Sequence, residues 1–359
     1  MTIAPPVDKS ASFVVYQAEP LNGGVPAAEA AGPETPIDRF FVRNHGPVPE
    51  VDPESFRLRV DGLVRRPLEM SLADLAVAGE RVTVPAVLQC AGFRRQELLE
   101  VGPIPGELPW GEEPAGSAAW SGLRLADVLA AAGPADGAEH VAFLGLDRCA
   151  TSAGDTAFGG SIPLAKALAP EVLLADGMNG GPLPAVHGGP LRVVVPGYIG
   201  ARSVKWVARI ELRDTPSDNH YQAKAYRWLP DPGTPVETAE MLGELWINVL
   251  ITAPAAGARV TAGEVEVAGW AVAADGVARV EVSGDGGATW RAAELAPERS
   301  PWDWRLWSAR LPLAAGRRTL VARAFDAAGR AQPAHPAERW NRKGYMNNAW
   351  HRVTIGVEG

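Results

Sequence analysis

Apolar and polar positions alternate in the last third of the chain, within short segments separated by Gly, Pro and Asp. Val265 and Val267 alternate with Glu264 and Glu266, which is the pattern of a strand with one buried face. Short strands bounded by turn residues predict an all-β sandwich of the immunoglobulin type. The predicted strands are Leu245 to Thr252, Glu264 to Val272, Val277 to Ser283, Ala309 to Pro312 and Thr319 to Asp326.

The preceding part of the chain mixes helix-type and strand-type spacing. Leu125 to Ala132 has the apolar period of a helix, and Gly133-Pro134 ends it. The fold class is therefore α+β, with a mixed α/β domain over residues 1–236 and the sandwich over residues 237–359. Residues 1–36, rich in Pro, Ala and Gly, are expected to be irregular or frayed. Further predictions are a helix at Ser71 to Leu75, strands at Val141 to Leu146 and Leu191 to Val195, and a short strand at Arg57 to Val60 and Leu63 around an Asp61-Gly62 turn.

Composition narrows the classes of partner. The 359 residues are 47% hydrophobic, which suffices for about two domains with sizeable cores. With 34 basic and 42 acidic residues the formal charge is −8, so bulk charge favours neither a nucleic-acid nor a membrane partner. No membrane span and no leader are visible. We expect a cytoplasmic protein, or a periplasmic one if a leader has been removed.

The most informative cysteine is Cys90, because of the residues that follow it in the sequence. Cys90 and Cys149 are the only cysteines, which excludes a disulfide scaffold or a Cys-only zinc site but leaves a single disulfide possible. Cys90 precedes Ala91-Gly92 and then Arg94-Arg95. Small residues and nearby positive charge favour a thiolate that acts as nucleophile or soft metal ligand. A free cysteine is also commonly an inert core residue, and the segment alone does not decide between these readings.

Three loops of the first domain combine cations with Gly or Pro. They are Phe41-Val42-Arg43-Asn44-His45 before Gly46-Pro47, the His187 to Arg192 segment with its Gly pair, and the Gly200 to Lys205 turn. Glycine lets backbone N–H groups approach an anion, and Arg and Lys bind phosphate oxygens. Each loop by itself also fits ordinary hydrogen bonding or surface charge. Their recurrence in an acidic protein favours a large ligand that carries phosphate.

Taken in order, these segments resemble the sulfite oxidase family of molybdenum enzymes, from about Phe40 to the C-terminus. Ordered matches over most of a chain are more specific than one short motif. The resemblance implies an N-terminal molybdopterin-binding domain and a C-terminal immunoglobulin-like domain through which two copies form a homodimer. Besides Cys90 and the three loops, it rests on Trp120-Ser121-Gly122, Gly160-Ser161-Ile162-Pro163-Leu164, Met178-Asn179-Gly180-Gly181-Pro182-Leu183-Pro184, Ser203-Val204-Lys205-Trp206 and Asn347-Asn348-Ala349-Trp350-His351-Arg352-Val353.

The resemblance also implies a role for individual residues. Cys90 matches the cysteine that ligates molybdenum, and the cofactor is molybdenum-molybdopterin. Arg43 and Arg95 would hold the substrate oxyanion, and Tyr226 would donate a hydrogen bond to a substrate or oxo oxygen. Lys343 stands where animal sulfite oxidases have Arg and assimilatory nitrate reductases have Met. The residues implied to bind the cofactor are Phe41, Val42, Arg43, Asn44, His45, Asp147, His187, Arg192, Ser203, Val204 and Lys205.

Three features depart from the family pattern. Phe93 replaces a common Asn beside the metal-ligand loop, which puts the geometry of that loop in question. A cation at Lys343 favours sulfite over nitrate, but the neighbouring Arg342 is an alternative for the inward-pointing cation. The stretch from Asp147 to Phe158 is longer than expected and leaves Cys149 without a role, as an exposed or half-buried free thiol.

The expected activity is molybdenum-dependent oxidation of sulfite to sulfate by oxygen-atom transfer. We find no haem or flavin fingerprint, so the electrons would pass to a separate acceptor, a cytochrome or oxygen. One alternative is a reductase of the same family that acts on nitrate or an S- or N-oxide. Another is a catalytically silent protein that binds the cofactor.

Overall fold

The structure is a computed structural model that describes residues 8–152, 154–231 and 233–359, so Met1 to Val7 of the expected irregular segment lie outside the described residues. Among the described residues, no helix is long and apolar enough to cross a membrane. The elements up to residue 213 are β1 (Val14–Gln17), β2 (Asn22–Gly24), α1 (Ala27–Ala30), β3 (Leu58–Gly62), β4 (Leu68–Met70), α2 (Leu72–Ala76), β5 (Arg81–Gln89), α3 (Arg95–Leu99), β6 (Ala115–Arg124), α4 (Leu125–Ala132), β7 (His140–Gly145), β8 (Cys149–Thr151), β9 (Gly154–Thr156), β10 (Gly159–Pro163), α5 (Leu164–Ala167), β11 (Leu173–Met178), β12 (Gly181–Pro182), β13 (Arg192–Val194) and β14 (Val207–Arg213).

The N-terminal segment is ordered by packing. Strands β1 and β2 form an antiparallel hairpin, and Gly23 exchanges two backbone hydrogen bonds with Val42. Phe13, Val25 and Val42 form a small buried cluster with Ala30. The expectation of irregular or frayed structure is wrong for this part of residues 1–36, because scattered apolar residues without a period still find a common cluster in three dimensions.

Two five-stranded sheets make up most of the first domain, besides the two-stranded pairs β1–β2 and β8–β9. One has the strand order β10, β7, β14, β3, β4, and the other has the order β12, β11, β6, β5, with β13 also paired to β11. Helix α4 packs on the main core through Leu125, Val128 and Leu129, and it ends at Gly133, whose φ of 69° suits the left-handed region. This confirms the predicted helix and its end.

Other local predictions in this domain have mixed outcomes. Helix α2 is confirmed, with Ser71 as its N-cap in a capping box with Asp74. The predicted strands near residues 141–146 and 191–195 are confirmed as β7 and β13. The Asp61-Gly62 turn is wrong, because β3 continues through Gly62 and pairs in parallel with β14 up to Leu212.

The C-terminal part is a sandwich of two sheets. Its strands are β15 (Asn248–Ala253), β16 (Arg259–Thr261), β17 (Gly263–Val272), β18 (Val277–Ser283), β19 (Arg291–Ala292), β20 (Glu294–Leu295), β21 (Arg305–Leu313), β22 (Gly316–Asp326) and β23 (His351–Glu358). One sheet has the order β15, β17, β21, β20 and the other β16, β23, β22, β18, β19. Val265 and Val267 are buried while Glu264 and Glu266 are exposed, which confirms the alternation. The structure therefore has the predicted fold class.

The two domains share a buried cluster. Phe93, from the loop after β5, packs against Trp270 of β17 with ring centroids 5.6 Å apart, and Trp270 stacks on Trp304. Arg94 is also buried and donates to Asn248 Oδ1 at 3.1 Å and to the carbonyl of Ala349 at 2.9 Å. The segment that follows Cys90 is thus fixed by the sandwich. The division of the chain at residue 237 stays a prediction.

Candidate active site

A cleft with an open volume of about 710 Å³ lies where the loops of the first domain meet. Most of the residues predicted from the sequence line it: Phe41, Arg43, Asn44, His45, Cys90, Asp147, His187, Arg192, Ser203, Lys205 and Tyr226. Four predicted residues, Val42, Val204, Arg95 and Lys343, are not among the lining residues.

Cys90 follows directly on β5 and presents its sulfur to the cleft. Its backbone N–H donates to Pro114 O at 2.9 Å, and its Sγ accepts a weak hydrogen bond from the Gly92 N–H at 3.4 Å. The side chain is buried except toward the cleft, with 6% of its surface exposed. Cys90 and Cys149 are both free thiols, so the possible disulfide is absent.

Phe93 does not disturb this loop. Its ring is buried between the domains and points away from the cleft, while its backbone N–H donates to Cys90 O at 3.0 Å in a tight turn. Phe93 is thus an apolar anchor to the sandwich, and Cys90 lines the cleft beside it.

Arg43, His45 and Tyr226 form a chain of hydrogen bonds along one wall. Arg43 Nη2 lies 3.2 Å from His45 Nδ1, and His45 Nε2 lies 2.9 Å from the Tyr226 hydroxyl. A guanidinium can only donate, so His45 Nδ1 is the acceptor. Burial, together with the charges of Arg43 and Lys205, lowers the pKa of His45 well below its ordinary value, so the ring is neutral and Nε2 carries the proton.

The direction of these bonds fixes what Tyr226 can do. Its oxygen accepts from His45, which leaves its own O–H as a donor toward the cleft. Burial raises the pKa of Tyr226, so the hydroxyl keeps its proton at neutral pH. Arg43 is held in place by Asn22, whose Oδ1 accepts from Arg43 Nη1 at 3.1 Å. The wall therefore presents one cation and one neutral O–H donor.

Another part of the cleft carries two cations, the buried Arg192 and the half-buried Lys205. Arg192 donates to the carbonyls of His187 at 2.7 Å and Ser203 at 2.9 Å, and burial lowers its pKa to about 9. Lys205 bonds to Asn44 Oδ1 and donates to Val186 O at 3.1 Å; burial, then the charge of Arg192, lowers its pKa. Buried cations are costly without an anion beside them.

The donor set of this cluster fits an anionic group such as the phosphate of a pterin cofactor. Asn44 Nδ2 is buried and has no hydrogen-bond partner within the described part of the chain. With Arg192 and Lys205 it supplies amide, guanidinium and ammonium donors in one place, which is the combination that phosphate oxygens accept. The residues present therefore fit a phosphate-bearing cofactor, and Asn44, Arg192, Ser203 and Lys205 would hold it.

Two of the predicted cofactor residues, Val42 and Val204, do not line the cleft. Val42 pairs through its backbone with Gly23, and its side chain lies in the N-terminal cluster. Val204 accepts at its carbonyl from the Val193 N–H and packs into the main core. Their apolar side chains position the loops and do not face the cleft.

Arg95 and Lys343 lie beside the cleft and share a partner. Arg95 Nε donates to the carbonyls of Lys343 and Gly344 at 3.1 Å each, and Nη1 donates to Leu108 O at 2.7 Å. Lys343 Nζ donates to Glu107 at 2.9 Å. Arg342 instead donates to Thr234 O at 2.8 Å, so Lys343 is the cation on the side of Arg95.

Cys149 is fully buried, so the expectation of an exposed or half-buried thiol is wrong. Its Sγ donates to Asp147 Oδ2 at 3.4 Å, and a Cβ on Gly46 would lie 3.3 Å from it. Burial raises the pKa of this thiol to about 12, and burial also raises the pKa of Asp147. Cys149 thus supports the cleft wall as a neutral thiol behind Asp147.

Sequence reasoning missed several residues around the cleft. The ring of Phe158 stacks on His45 at 5.1 Å, and Lys205 Nζ lies 4.3 Å above the Trp206 ring. Trp206 belongs to a recognised motif, so a signal for it existed. No sequence signal pointed to Lys9, because it lies in the N-terminal segment outside any motif. Its Nζ is nevertheless 3.0 Å from His187 Nε2 and 2.8 Å from Ile37 O.

Lys9→Met is expected to weaken cofactor retention by about tenfold, because Lys9 orients His187 from behind and outer partners of this kind have effects of that size. Molybdenum content and the fluorescence of released pterin, followed during dialysis, measure the effect. Lys224→Met removes the same charge from an exposed position and is the control. Equal retention in both variants would show that Lys9 has no part in the site.

Comparison with known proteins agrees with this geometry. The family described as "Oxidoreductase molybdopterin binding domain" matches residues 45–221, and the one described as "Mo-co oxidoreductase dimerisation domain" matches residues 239–358. The structure is similar to that of the sulfane dehydrogenase SoxCD from Paracoccus pantotrophus, with a TM-score of 0.80 and 27% identity over 94% of this chain and 87% of that one. The fold and the cleft therefore define a molybdenum-dependent oxidoreductase that binds molybdopterin.

The sequence comparison names the family. The chain is 42% identical to chicken (Gallus gallus) sulfite oxidase over 94% of its own length and 76% of that protein. It is 43% identical to human mitochondrial sulfite oxidase over 90% of its own length, and spans 62% of that protein. The chain belongs to the sulfite oxidase family.

Proposed function

We propose that this protein oxidises sulfite to sulfate by oxygen-atom transfer. The observation that carries the proposal is that one cleft joins the Cys90 thiol with Arg43 and the free O–H of Tyr226, beside the cations Arg192 and Lys205, which suit a cofactor phosphate. The chicken and human relatives, 42% and 43% identical to this chain, are named sulfite oxidases.

The chemistry divides between cofactor and protein. When bound, the molybdenum cofactor supplies the transferable oxygen and accepts two electrons. Cys90 would hold the metal through its sulfur, Arg43 would bind a sulfite oxygen and offset its charge, and Tyr226 would donate its O–H to an oxygen of the reacting group. His45 keeps that hydroxyl oriented, because it occupies the oxygen lone pair from the other side. The protein thus contributes binding, orientation and electrostatics.

The remaining partners follow from the same proposal. The electrons would leave to a separate acceptor, a cytochrome or oxygen. The sandwich, which matches a dimerisation domain, would join two copies into a homodimer. Light scattering that gives the mass of a single chain for the cofactor-loaded protein would contradict the dimer. The cytoplasmic location stays a prediction.

Anaerobic mixing of the oxidised, cofactor-loaded protein with sulfite is expected to bleach its metal-thiolate absorbance, because sulfite reduces the metal. Sulfate in place of sulfite is the control, since its sulfur is fully oxidised and has no lone pair to give. An unchanged spectrum with sulfite, together with reoxidation of the dithionite-reduced protein by nitrate, would support the reductase alternative. Absence of molybdenum and pterin from protein made in a cofactor-producing host would support the silent binding protein.

A further inference from the structure

A single carboxylate holds both cations that were expected to bind the substrate beside Arg43. Glu107 Oε1 is 2.9 Å from Lys343 Nζ, and Glu107 Oε2 is 3.6 Å from Arg95 Nη2. The side chains of Glu107 and Arg95 are 14% and 2% exposed, whereas Lys343 is 36% exposed. The carboxylate therefore lies between a buried cation and a more exposed one.

Arg95 leaves one edge of its guanidinium for an anion. Nε and Nη1 are committed to backbone carbonyls, and the 3.6 Å separation from Glu107 is too long for a hydrogen bond from Nη2. A Cβ on Gly92 would lie 2.6 Å from Nη2, 2.7 Å from Cζ and 2.8 Å from Nη1, so the face of the guanidinium packs against the loop that begins at Cys90. An oxyanion that reached this edge would meet the negative charge of Glu107.

The same group of charges reaches Tyr226. The Arg95 guanidinium lies 5.1 Å from the centre of the Tyr345 ring, which stacks on Tyr226 at 5.3 Å. Burial raises the pKa of Tyr345, and the negative charge of Glu107 raises it further. Glu107 thus acts on the same wall of the cleft as Arg43 and Tyr226.

We infer that Glu107 is a specificity-determining positioning residue, which acts through Arg95 and Lys343 to weaken the binding of oxyanions beside the wall formed by Arg43 and Tyr226. The inference rests on the proposed function. Its carboxylate offsets one of the two positive charges and holds Lys343 away from an incoming anion. The consequence is fast release of sulfate, the dianionic product, at the expense of affinity for sulfite.

The test compares Glu107→Gln with Glu107→Asp in the oxidised, cofactor-loaded protein. Calorimetric titration with sulfate should give a roughly tenfold lower Kd for Glu107→Gln, the effect of one unit charge near a dianion in a partly solvated cleft. Glu107→Asp keeps the charge and should stay within about threefold of the parent protein. In turnover, the KM for sulfite should fall with the sulfate Kd, and sulfate should inhibit Glu107→Gln at a roughly tenfold lower concentration than the parent protein.

A double-mutant cycle with Lys343→Gln separates charge from structure. Lys343→Gln should weaken sulfate binding more in the Glu107→Gln background than in the parent, because Glu107 no longer neutralises Lys343. An unchanged or higher sulfate Kd in Glu107→Gln, or an equal change in Glu107→Asp, would overturn the inference. If Glu107→Gln does not fold, Lys343→Gln alone provides the test. The inference would then be overturned if Lys343→Gln weakened sulfate binding as much as Arg43→Lys does, because Glu107 would not be neutralising Lys343. Sulfate binding needs no turnover, so failure of sulfite oxidation would be seen separately.

Discussion

We expect Cys90→Ser to lower sulfite oxidation by at least about 100-fold, because it replaces the thiolate that would hold the metal, and loss of the outer partners of a metal site already costs up to that factor. The substitution is nearly isosteric. Cys90 Sγ makes one weak hydrogen bond, to the Gly92 N–H at 3.4 Å, so the free energy of unfolding should change little. Turnover with sulfite, the metal-thiolate absorbance and molybdenum content measure the outcome together.

Cys149→Ser is the matched control for this experiment. Both cysteines are free and buried, but Cys149 donates to Asp147 behind the cleft wall and is not among the residues that line the cleft. We expect this variant to keep the absorbance and most of the turnover. If Cys90→Ser retained more than about a tenth of the parent activity, or if Cys149→Ser lost the metal-thiolate absorbance instead, the assignment of Cys90 would be wrong.

We expect Arg43→Met to lower kcat/KM for sulfite by about 100- to 1000-fold, the range typical of removing one preorganised donor from a charge-stabilising site. Two effects combine. The substrate loses a cation, and His45 loses the donor that fixes its Nδ1 as an acceptor, so the ring can turn and Tyr226 loses its partner. Steady-state kinetics with sulfite measure the loss, and molybdenum content shows that the cofactor is still bound.

Arg43→Lys tests the reason for that loss. Lysine keeps the charge, but it lacks the planar guanidinium that lets Arg43 donate to Asn22 and His45 at the same time. We therefore expect a kcat/KM between those of the parent protein and Arg43→Met. If Arg43→Lys were as inactive as Arg43→Met, geometry would outweigh charge. If Arg43→Met kept more than about a third of the parent kcat/KM, Arg43 would have no part in binding the substrate.

The sequence predicted the local elements well where a period and an end signal coincide. Helix α4 has both, and the alternation of Val265 and Val267 with glutamates in β17 gives the same information for a strand. The prediction of a turn at Asp61-Gly62 was wrong, because this dipeptide allows the chain to reverse direction but does not require it. Parallel pairing with β14, which lies about 150 residues later in the chain, kept the strand extended through Gly62.

The motifs also predicted most of the cleft. Arg43, His45, His187, Arg192 and Lys205 do line it, because short motifs that bind an anion carry their geometry in a few consecutive residues. Val42 and Val204 do not line the cleft, since neighbours in a loop point in different directions, and their part in binding the cofactor stays a prediction. Whether a residue of a motif faces the ligand or the core depends on the backbone around it.

By itself, the sequence determined the fold class, the thiol, the cations and the family to which they belong, since these depend on residue types at short spacing. Only the tertiary structure brought Lys9 to His187, 178 residues away, and Glu107 to Lys343, 236 residues away. It also turned Phe93 toward Trp270 and away from the cleft. The physical reason is that a pattern specifies which side of an element is buried, whereas the partner on that side depends on the path of the whole chain.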